Sequence, residues 1–428
     1  MITCPGNWQV TDLPHNNTMP ELFTVSTPHA ALQKLFDHLS RPIAIETIPT
    51  AAALDRVLIE SPIATSALPA FARSTMDGYA VRAADTFGAS EALPAYLTVM
   101  GECPMGQAPT VEVRAGQAAV IHTGGMLPDG ADAVVQIERT QKTTETEIEV
   151  MRAVAPGENV LQVGEDVKPG DQLFSTGHVL RPQDLGGLMA MGITHVTVAR
   201  QPRVGTLATG DEVIDPQFEP QPGQVRDVNT YSISGIVTRA GGVAQSGGII
   251  RDNFDALYQA AKDLIDQSDA LVLSAGSSVS VRDMTSDVIE RLGKPGVLVH
   301  GVSIKPGKPT ILAVCDGKPV FGLPGNPVSA LVVGDLFITP TLWRLQGCAR
   351  PPHQNTMKAR LTHNLASVPG RVDYIQVKLI DRDGEVWAEP VFGKSNLIYT
   401  LVKSDGMMII PIDANGVAAG EMVEVKLF

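Results

Sequence analysis

Between Arg203 and Trp343 the chain alternates two textures, and that alternation restricts the fold more than any other feature of the sequence. RVGTLATG, DALVLSAG, TILAVCDG and PVFGLPG are short apolar runs that close on glycine, as buried strands do. TYSISGIVTRAG, DALYQAAKDLIDQS and DMTSDVIERLG carry helical spacing between them. Strands joined through helices form crossover units and a mostly parallel sheet, because a tight hairpin joins only antiparallel neighbours. Ligands of such sheets sit beyond the carboxyl ends of the strands, so the loops that follow strands are where chemistry is expected.

Four of those loops carry polar residues. LATGDEV offers Thr209, Asp211 and Glu212; LSAGSSVSVRD offers Ser277, Ser278 and Asp283; SIKPGKP offers Lys305 and Lys308; VFGLPGNP offers Gly322, Pro324, Gly325 and Asn326. In the last of these, Asn326 suits an N-cap and Pro327 the first helical position, while Gly322 and Gly325 allow close approach or positive φ. An exposed helix N-terminus gathers free N–H donors and favours an anion by about 0.3 to 1 kcal/mol, so the turn reads as a phosphate seat. A plain strand-to-helix turn fits this stretch equally well. Lys305 and Lys308 flank Pro306 and Gly307, which puts two cations on a stiffened bend suited to a diphosphate or an oxyanion; two solvated lysines are the plainer alternative.

Carboxylates recur beside glycine or turn residues: Asp77 in STMDGYAVR, Asp166 in GEDVKPGD, Glu212, Asp252 in GGIIRDN, and Asp283 in SVRD. Two carboxylates about 4 Å apart repel by roughly 4 kcal/mol at an effective dielectric near 20, so any cluster of them needs a cation between. With oxygen ligands alone that cation is Mg²⁺ rather than zinc. Taken singly, each fits a cap or turn, and Asp77 or Asp166 an Asx-turn.

The rest of the chain has other rhythms. HAALQKLFDHLS puts Leu32, Leu35, Phe36 and Leu39 on one helical face, and RPQDLGGLMAMG is a second helical stretch. From about Ser66 to Leu161 short β-like runs (YLTVM, QAAVIHTGG, ADAVVQIE, TEIEVMRAV) suggest a small all-β domain. After Gly347, KARLTHN, DYIQVKLID, VWAEPVF, GMMIIPI and EMVEVKLF read as a C-terminal β domain. The 428 residues suggest about three domains by length. A formal charge of −13 and 5% aromatic residues argue against a nucleic-acid partner. Cys4, Cys103, Cys315 and Cys348 form no C-x-x-C pair, so neither a zinc site nor a disulfide framework is expected, and a reduced cytoplasm fits. MITCPGNWQV lacks a basic segment followed by an apolar one, and the apolar run from Pro327 to Trp343 is interrupted by Asp335 and Pro340, so no signal peptide and no membrane span are expected.

MDGYAVRAADT, IHTGG followed by PDGADAVVQIE, GEDVKPGD, TGDEV, KPGKP and GLPGNPVSA, in that order, closely resemble the MoeA family of molybdopterin molybdenumtransferases, which also includes the C-terminal part of gephyrin. The resemblance runs from about Pro28 to Phe428. It implies a multidomain α/β plus β fold: a three-layer molybdopterin-binding domain with a mostly parallel sheet (9–26 and 198–347), an inserted β domain (65–164), a discontinuous linking and dimerisation domain (27–64 and 165–197) and a C-terminal β-barrel-like domain (348–428). It also implies a cytoplasmic, Mg²⁺-assisted transferase of molybdenum cofactor synthesis. Such an enzyme takes adenylylated molybdopterin and molybdate, cleaves the phosphoanhydride, releases AMP and leaves molybdenum on the pterin dithiolene. The soft thiolates come from the substrate, in keeping with the scattered cysteines.

Position by position, the resemblance places Asp77, Thr123, Asp166, Glu212, Asp252 and Asp283 along a catalytic cleft, with Lys305 and Lys308 as its anion-holding pair and Ser404 on a C-terminal loop turned toward it. Glu212 and Asp252 are expected to hold Mg²⁺ and the adenylate phosphate, and the two lysines molybdate or the diphosphate. The family further implies an elongated homodimer, the Asp77 and Thr123 domain facing the partner's α/β domain, and contacts with other proteins of cofactor synthesis. The chain departs from the family pattern at Ala275 and Ser280, where glycines are usual, at Met284 and Ser286, where Tyr and Lys are common, and at Ala72 and Arg73, where Asp-Asn is often found. These departures admit a tungstate-preferring paralogue or a non-catalytic gephyrin-like scaffold; retention of Glu212, Asp252, Lys305 and Lys308 favours catalysis.

Overall fold

A computed structural model describes residues 25–39, 44–275, 279–351 and 355–428, without the side chains of 279–282. The chain forms two compact units, one of Ile43–Arg200 with Gln346–Arg350, the other of Met1–Pro42, Gln201–Leu345 and Pro351–Phe428. Helix α1 (Pro28–Asp37) opens the second unit: Thr27 Oγ1 accepts from Ala30 N, Pro28 takes the first turn, and Ala31 and Leu35 are buried.

In the first unit, β1 (Ile45–Pro49) pairs antiparallel with β8 (His195–Ala199), and helix α2 (Pro182–Ala190) packs beside them. The β-like runs form six strands: β2 (Gly78–Val81), β3 (Ala95–Glu102), β4 (Gln117–Ile121), β5 (Ala133–Gln136), β6 (Thr140–Thr144) and β7 (Glu147–Val150). Their sheet runs β5-β2-β4-β3-β7-β6, over a core that includes Tyr79, Leu97, Val135 and Ile148.

In the second unit the alternating region folds as its texture predicts. Strand β9 (Arg203–Thr209) is followed by α3 (Asn229–Arg239), β10 (Val243–Ile250), α4 (Phe254–Asp266), β11 (Ala270–Ala275), α5 (Val279–Leu292) and β12 (Pro295–His300). After the two-residue β13 (Ile304–Lys305) come β14 (Ile311–Cys315), β15 (Lys318–Pro324) and the helix α6 (Pro327–Leu345). The sheet order is β10-β9-β11-β15-β14-β12. The first four strands are parallel, and β14 runs antiparallel to both of its neighbours, β15 and β12. β14 and β15 are a hairpin rather than a crossover, turned by Asp316 and Gly317 at φ 49° and 82°, the left-handed pair a tight two-residue turn requires. Helix α4 shows how the faces are built: Asn253 Oδ1 caps Ala256 N, and Leu257, Ala261 and Ile265, four residues apart, bury against Leu207, Leu271 and Leu273 of the sheet. Burying each such leucine is worth about 1.5 to 3 kcal/mol.

Helix α6 continues through Asp335 and Pro340, which interrupt only its apolar run. It widens into a π-turn over Gly334–Ile338 just before the proline, whose missing N–H the wider turn accommodates. Although long and apolar enough to span a bilayer, with mean hydropathy 1.3, it is 61% buried inside the protein and serves as a core helix.

The C-terminal strands β16 (Thr356–Leu361), β17 (Val372–Arg382), β18 (Glu385–Pro390), β19 (Gly406–Ile410) and β20 (Met422–Leu427) close on themselves in the order β17-β18-β16-β20-β19-β17, a five-stranded barrel. β13 joins this barrel, pairing in parallel with β17 so that Ile304 lies opposite Val372 and Lys305 opposite Asp373. That short pairing carries the KPGKP bend onto the barrel wall.

Candidate functional site

The bend after β13 starts with a cis Lys305–Pro306 bond, turns at Gly307 (φ 108°), and is held by Thr310 Oγ1 donating to the Gly307 carbonyl at 2.6 Å. It leaves Lys305 and Lys308 exposed on the wall of a cavity of about 1190 Å³. The opposite lining comes from the barrel: Arg371 and Asp373 at the start of β17, and Lys394, Ser395 and Asn396 after β18. Four cationic side chains thus face one volume in a chain of net charge −13. Among the described residues the one carboxylate in this lining, Asp373, is 1% exposed and accepts from Arg371 Nε at 2.8 Å.

A second cavity, of about 390 Å³, lies at the carboxyl ends of β9, β11 and β15 and is lined by Thr209, Glu212, Asn229, Ser274 and Gly325. Asn326 and Asn396 line both cavities, so the two adjoin. Asn229 ties its walls together, donating from Nδ2 to Ser274 Oγ at 2.7 Å and to the Gly325 carbonyl at 2.9 Å. Thr209 Oγ1 donates to Asp252 Oδ1 at 2.9 Å, linking the loop after β10 to that after β9. Asp252 itself lines neither cavity. Among the described residues no three of His, Cys, Asp and Glu gather as a metal cage. Glu212 and Asp252 nevertheless offer the oxygen chemistry Mg²⁺ takes, which commonly uses one or two carboxylates and completes its shell with substrate phosphate and water.

The turn before α6 differs from its reading as an amide seat. Asn326 occupies the N-cap position, but its side chain makes no capping bond and donates instead to Ser395 Oγ at 3.0 Å. The first free amide of the helix, Val328 N, is taken by the Ser395 carbonyl at 3.1 Å, and Pro327, Val328 and Ser329 are buried. Neither Gly322 nor Gly325 takes a left-handed φ. Gly322 lies within β15, where an added Cβ would come 2.9 Å from Ile311 Cβ, and lines neither cavity. Pro324 and Asn326 line the larger cavity together with both lysines.

Residues 26–192 match the MoeA N-terminal region (domains I and II), 205–344 the "Probable molybdopterin binding domain", and 358–428 the MoeA C-terminal region (domain IV). A molybdopterin molybdenumtransferase of Haemophilus influenzae is 33% identical over 93% of this chain and 97% of its own length. The chain belongs to the MoeA family. Another molybdopterin molybdenumtransferase, from Bacillus subtilis, is 32% identical over 91% of each chain. A crystal structure of a molybdopterin biosynthesis MoeA protein from Pyrococcus horikosii superimposes with TM-score 0.78 at 36% identity, covering 94% of this chain and 99% of that one.

Other expected site residues of this MoeA chain are distributed as follows. Asp283 is exposed on α5 and lines neither cavity. Ser277 and Ser278 lie outside the described residues, and the stretch from Ala275 to Asp283, expected as a loop, is helical from Val279. Ser404 also lines neither cavity: its hydroxyl donates to the Thr400 carbonyl at 2.5 Å, closing the short helix α7 (Tyr399–Val402). Ser395, nine residues earlier, is the barrel serine that lines the larger cavity. In the first unit Thr123 N donates to Asp77 Oδ1 at 2.9 Å, and His122 bridges toward Asp77 at 3.5 Å and Glu102 at 3.0 Å. The Thr123 amide, aided by His122, holds the Asp77 carboxyl below its ordinary value. Asp166 is exposed on a turn whose backbone N–H bonds to the Leu68 carbonyl at 3.0 Å.

Arg371, Lys394, Ser395 and Asn396 were not singled out from sequence. The signal available was their clustering in VPGR and FGKSN, two turn-like segments that flank the runs read as DYIQVKLID and VWAEPVF.

Proposed function

We propose that this MoeA-family transferase acts in molybdenum cofactor biosynthesis, taking molybdate and adenylylated molybdopterin and releasing AMP as molybdenum passes to the pterin dithiolene. One observation carries the reading: Lys305, Lys308 and Arg371 line a single cavity that adjoins, through Asn326 and Asn396, a smaller one lined by Glu212 and Thr209. Cations concentrated against a low-dielectric wall hold a dianionic oxyanion and the diphosphate close together, which lowers the entropic cost of bringing them into line. Glu212 and Asp252 are the residues that would hold Mg²⁺. Bound there, the ion would supply charge neutralisation to the phosphoanhydride. Among the described residues no thiol is activated as a molybdenum ligand: burial pushes those of Cys103 and Cys315 up to about 11 and about 12 and also raises that of Cys348. The substrate dithiolene supplies the sulfur instead.

The functional unit in this reading is a cytoplasmic homodimer, to be checked by light scattering of the purified protein. Replacing Lys305 and Lys308 together by Ala tests the site itself. Molybdate-dependent AMP release should fall by about 100-fold or more, the scale of losing charge-stabilising groups. Unchanged release would remove both lysines from the reaction.

A further inference from the structure

We propose that Asp373 is a positioning residue that aims the Arg371 guanidinium into the larger cavity and so sets how tightly the oxyanion is held. The proposal rests on the reading above that this cavity receives molybdate. Asp373 is 1% exposed, and a carboxylate so completely removed from water is costly unless paired and hydrogen-bonded. Its pairing is a fork: Arg371 Nε donates to Oδ1 at 2.8 Å and Nη2 to Oδ2 at 3.4 Å. Arg371 immediately precedes β17 and Asp373 is the strand's second residue, so the pair sits together at the strand's entry. A guanidinium has five N–H donors in a rigid plane. With two committed to Asp373, three remain, and the plane that carries them is fixed by the carboxylate. The arginine side chain is 35% exposed, so the uncommitted donors sit where a ligand can reach them.

The register adds a second reason. Asp373 lies directly opposite Lys305 across the parallel β13–β17 pairing, at the point where the KPGKP bend meets the barrel. A carboxylate there, left to itself, would draw in and neutralise Lys305. Among the described residues its ion pair is made with Arg371 instead. The same side chain therefore orients one cation and leaves its neighbour available to the ligand.

Asp373→Asn, which keeps size and removes charge, tests this. The KM for molybdate should rise about tenfold while kcat at saturating molybdate stays within about twofold, the pattern of lost ground-state binding. The KM for adenylylated molybdopterin should not move. Arg371→Ala should raise the molybdate KM in the same way, and the double variant should be no worse than Arg371→Ala alone. A folded Asp373→Asn with the wild-type molybdate KM, or a double variant whose effects add, would overturn the proposal. Should Asp373→Asn fail to fold, thermal melting of the two arginine variants decides: Arg371→Ala strands a buried carboxylate, so adding Asp373→Asn to it should raise the melting temperature, and a lower one sinks the proposal. If the wild type shows no molybdate-dependent AMP release, the functional reading falls, and equilibrium dialysis of wild type and Asp373→Asn with molybdate alone still judges the role of Asp373: weaker binding by the variant supports it, equal binding refutes it.

Discussion

Asp184 shows how much a single buried carboxylate contributes to the first unit. It is 3% exposed and accepts from Arg181 Nε at 2.9 Å, from Arg181 N at 2.9 Å and from His178 Nε2 at 2.7 Å. Burial alone would raise its pKa, but these donors outweigh it and hold the carboxyl at about 2. A folded value below the unfolded one means that the stabilisation is complete above the unfolded value near 4 and is lost as pH falls toward 2, about 2 kcal/mol in all. Asp184→Asn should therefore melt lower than the wild type at neutral pH and converge with it near about pH 2. Parallel melting curves at all pH values would show that the three donors do not act through charge. The same scale marks what sequence can reveal of the site. Lys305, Lys308 and Glu212 stand out because each sits in a short glycine-bounded loop after an apolar run. Arg371 and Ser395 do not, because they reach the cavity through barrel pairings between distant segments. Ser395 and Ser404 are both polar residues in one turn-rich stretch, and only the fold shows that Ser395 lines the larger cavity while the Ser404 hydroxyl bonds the Thr400 carbonyl.

At the scale of elements, helix α6 and strand β20 are joined by an ion pair that no local pattern foretells. Lys426 donates to Asp335 within the π-turn, the two side chains 24% and 13% exposed. Tyr374 lies close enough for the Asp335 charge to add to burial, which together push its phenol up to about 12. A carboxylate there without its lysine is a largely buried, uncompensated charge, costing about 3 kcal/mol. Lys426→Met should lower the urea midpoint accordingly, and Asp335→Asn added to Lys426→Met should recover part of the loss. No recovery would mean that the lysine acts through packing of its stem rather than its charge. The Asn326-Pro327 start signals foretold α6 itself, and apolar texture registered Asp335 and Pro340 only as interruptions of its run. It cannot register a helix that widens by one residue, nor a partner more than ninety residues away in the chain. TILAVCDG and PVFGLPG were legible as two strands with no helix between them, and the Asp316-Gly317 pair that turns the β14–β15 hairpin is the local signal that joins them.

For the molecule as a whole, the alternation of strands and helices was enough to announce a mostly parallel sheet, because each buried strand must be covered on both faces by its connections. Closure of the C-terminal barrel is a different kind of fact. It depends on β17 pairing with β18 along one part of its length and with β19 along another, a register spread over eleven residues that shows in the sequence as one mixed polar and apolar run. Charge also acts at this scale. The chain carries −13 overall, yet the cavity wall presents Lys305, Lys308, Arg371 and Lys394. An anionic substrate is therefore repelled at long range and attracted only on close approach. Salt screens the first effect more strongly, since exposed charges beyond about 10 Å cease to matter near 0.1 M whereas partly enclosed ones still do. For the wild type, kcat/KM for adenylylated molybdopterin should thus hold level or rise as KCl is increased from about 0.01 to about 0.1 M, and fall only above that. In the Lys305→Ala/Lys308→Ala protein the rise should persist while the later fall flattens, because the long-range charge is retained and the local attraction is not. A steep decline from the lowest salt upward would show instead that the cavity field reaches into solution and steers the substrate, despite the net negative charge.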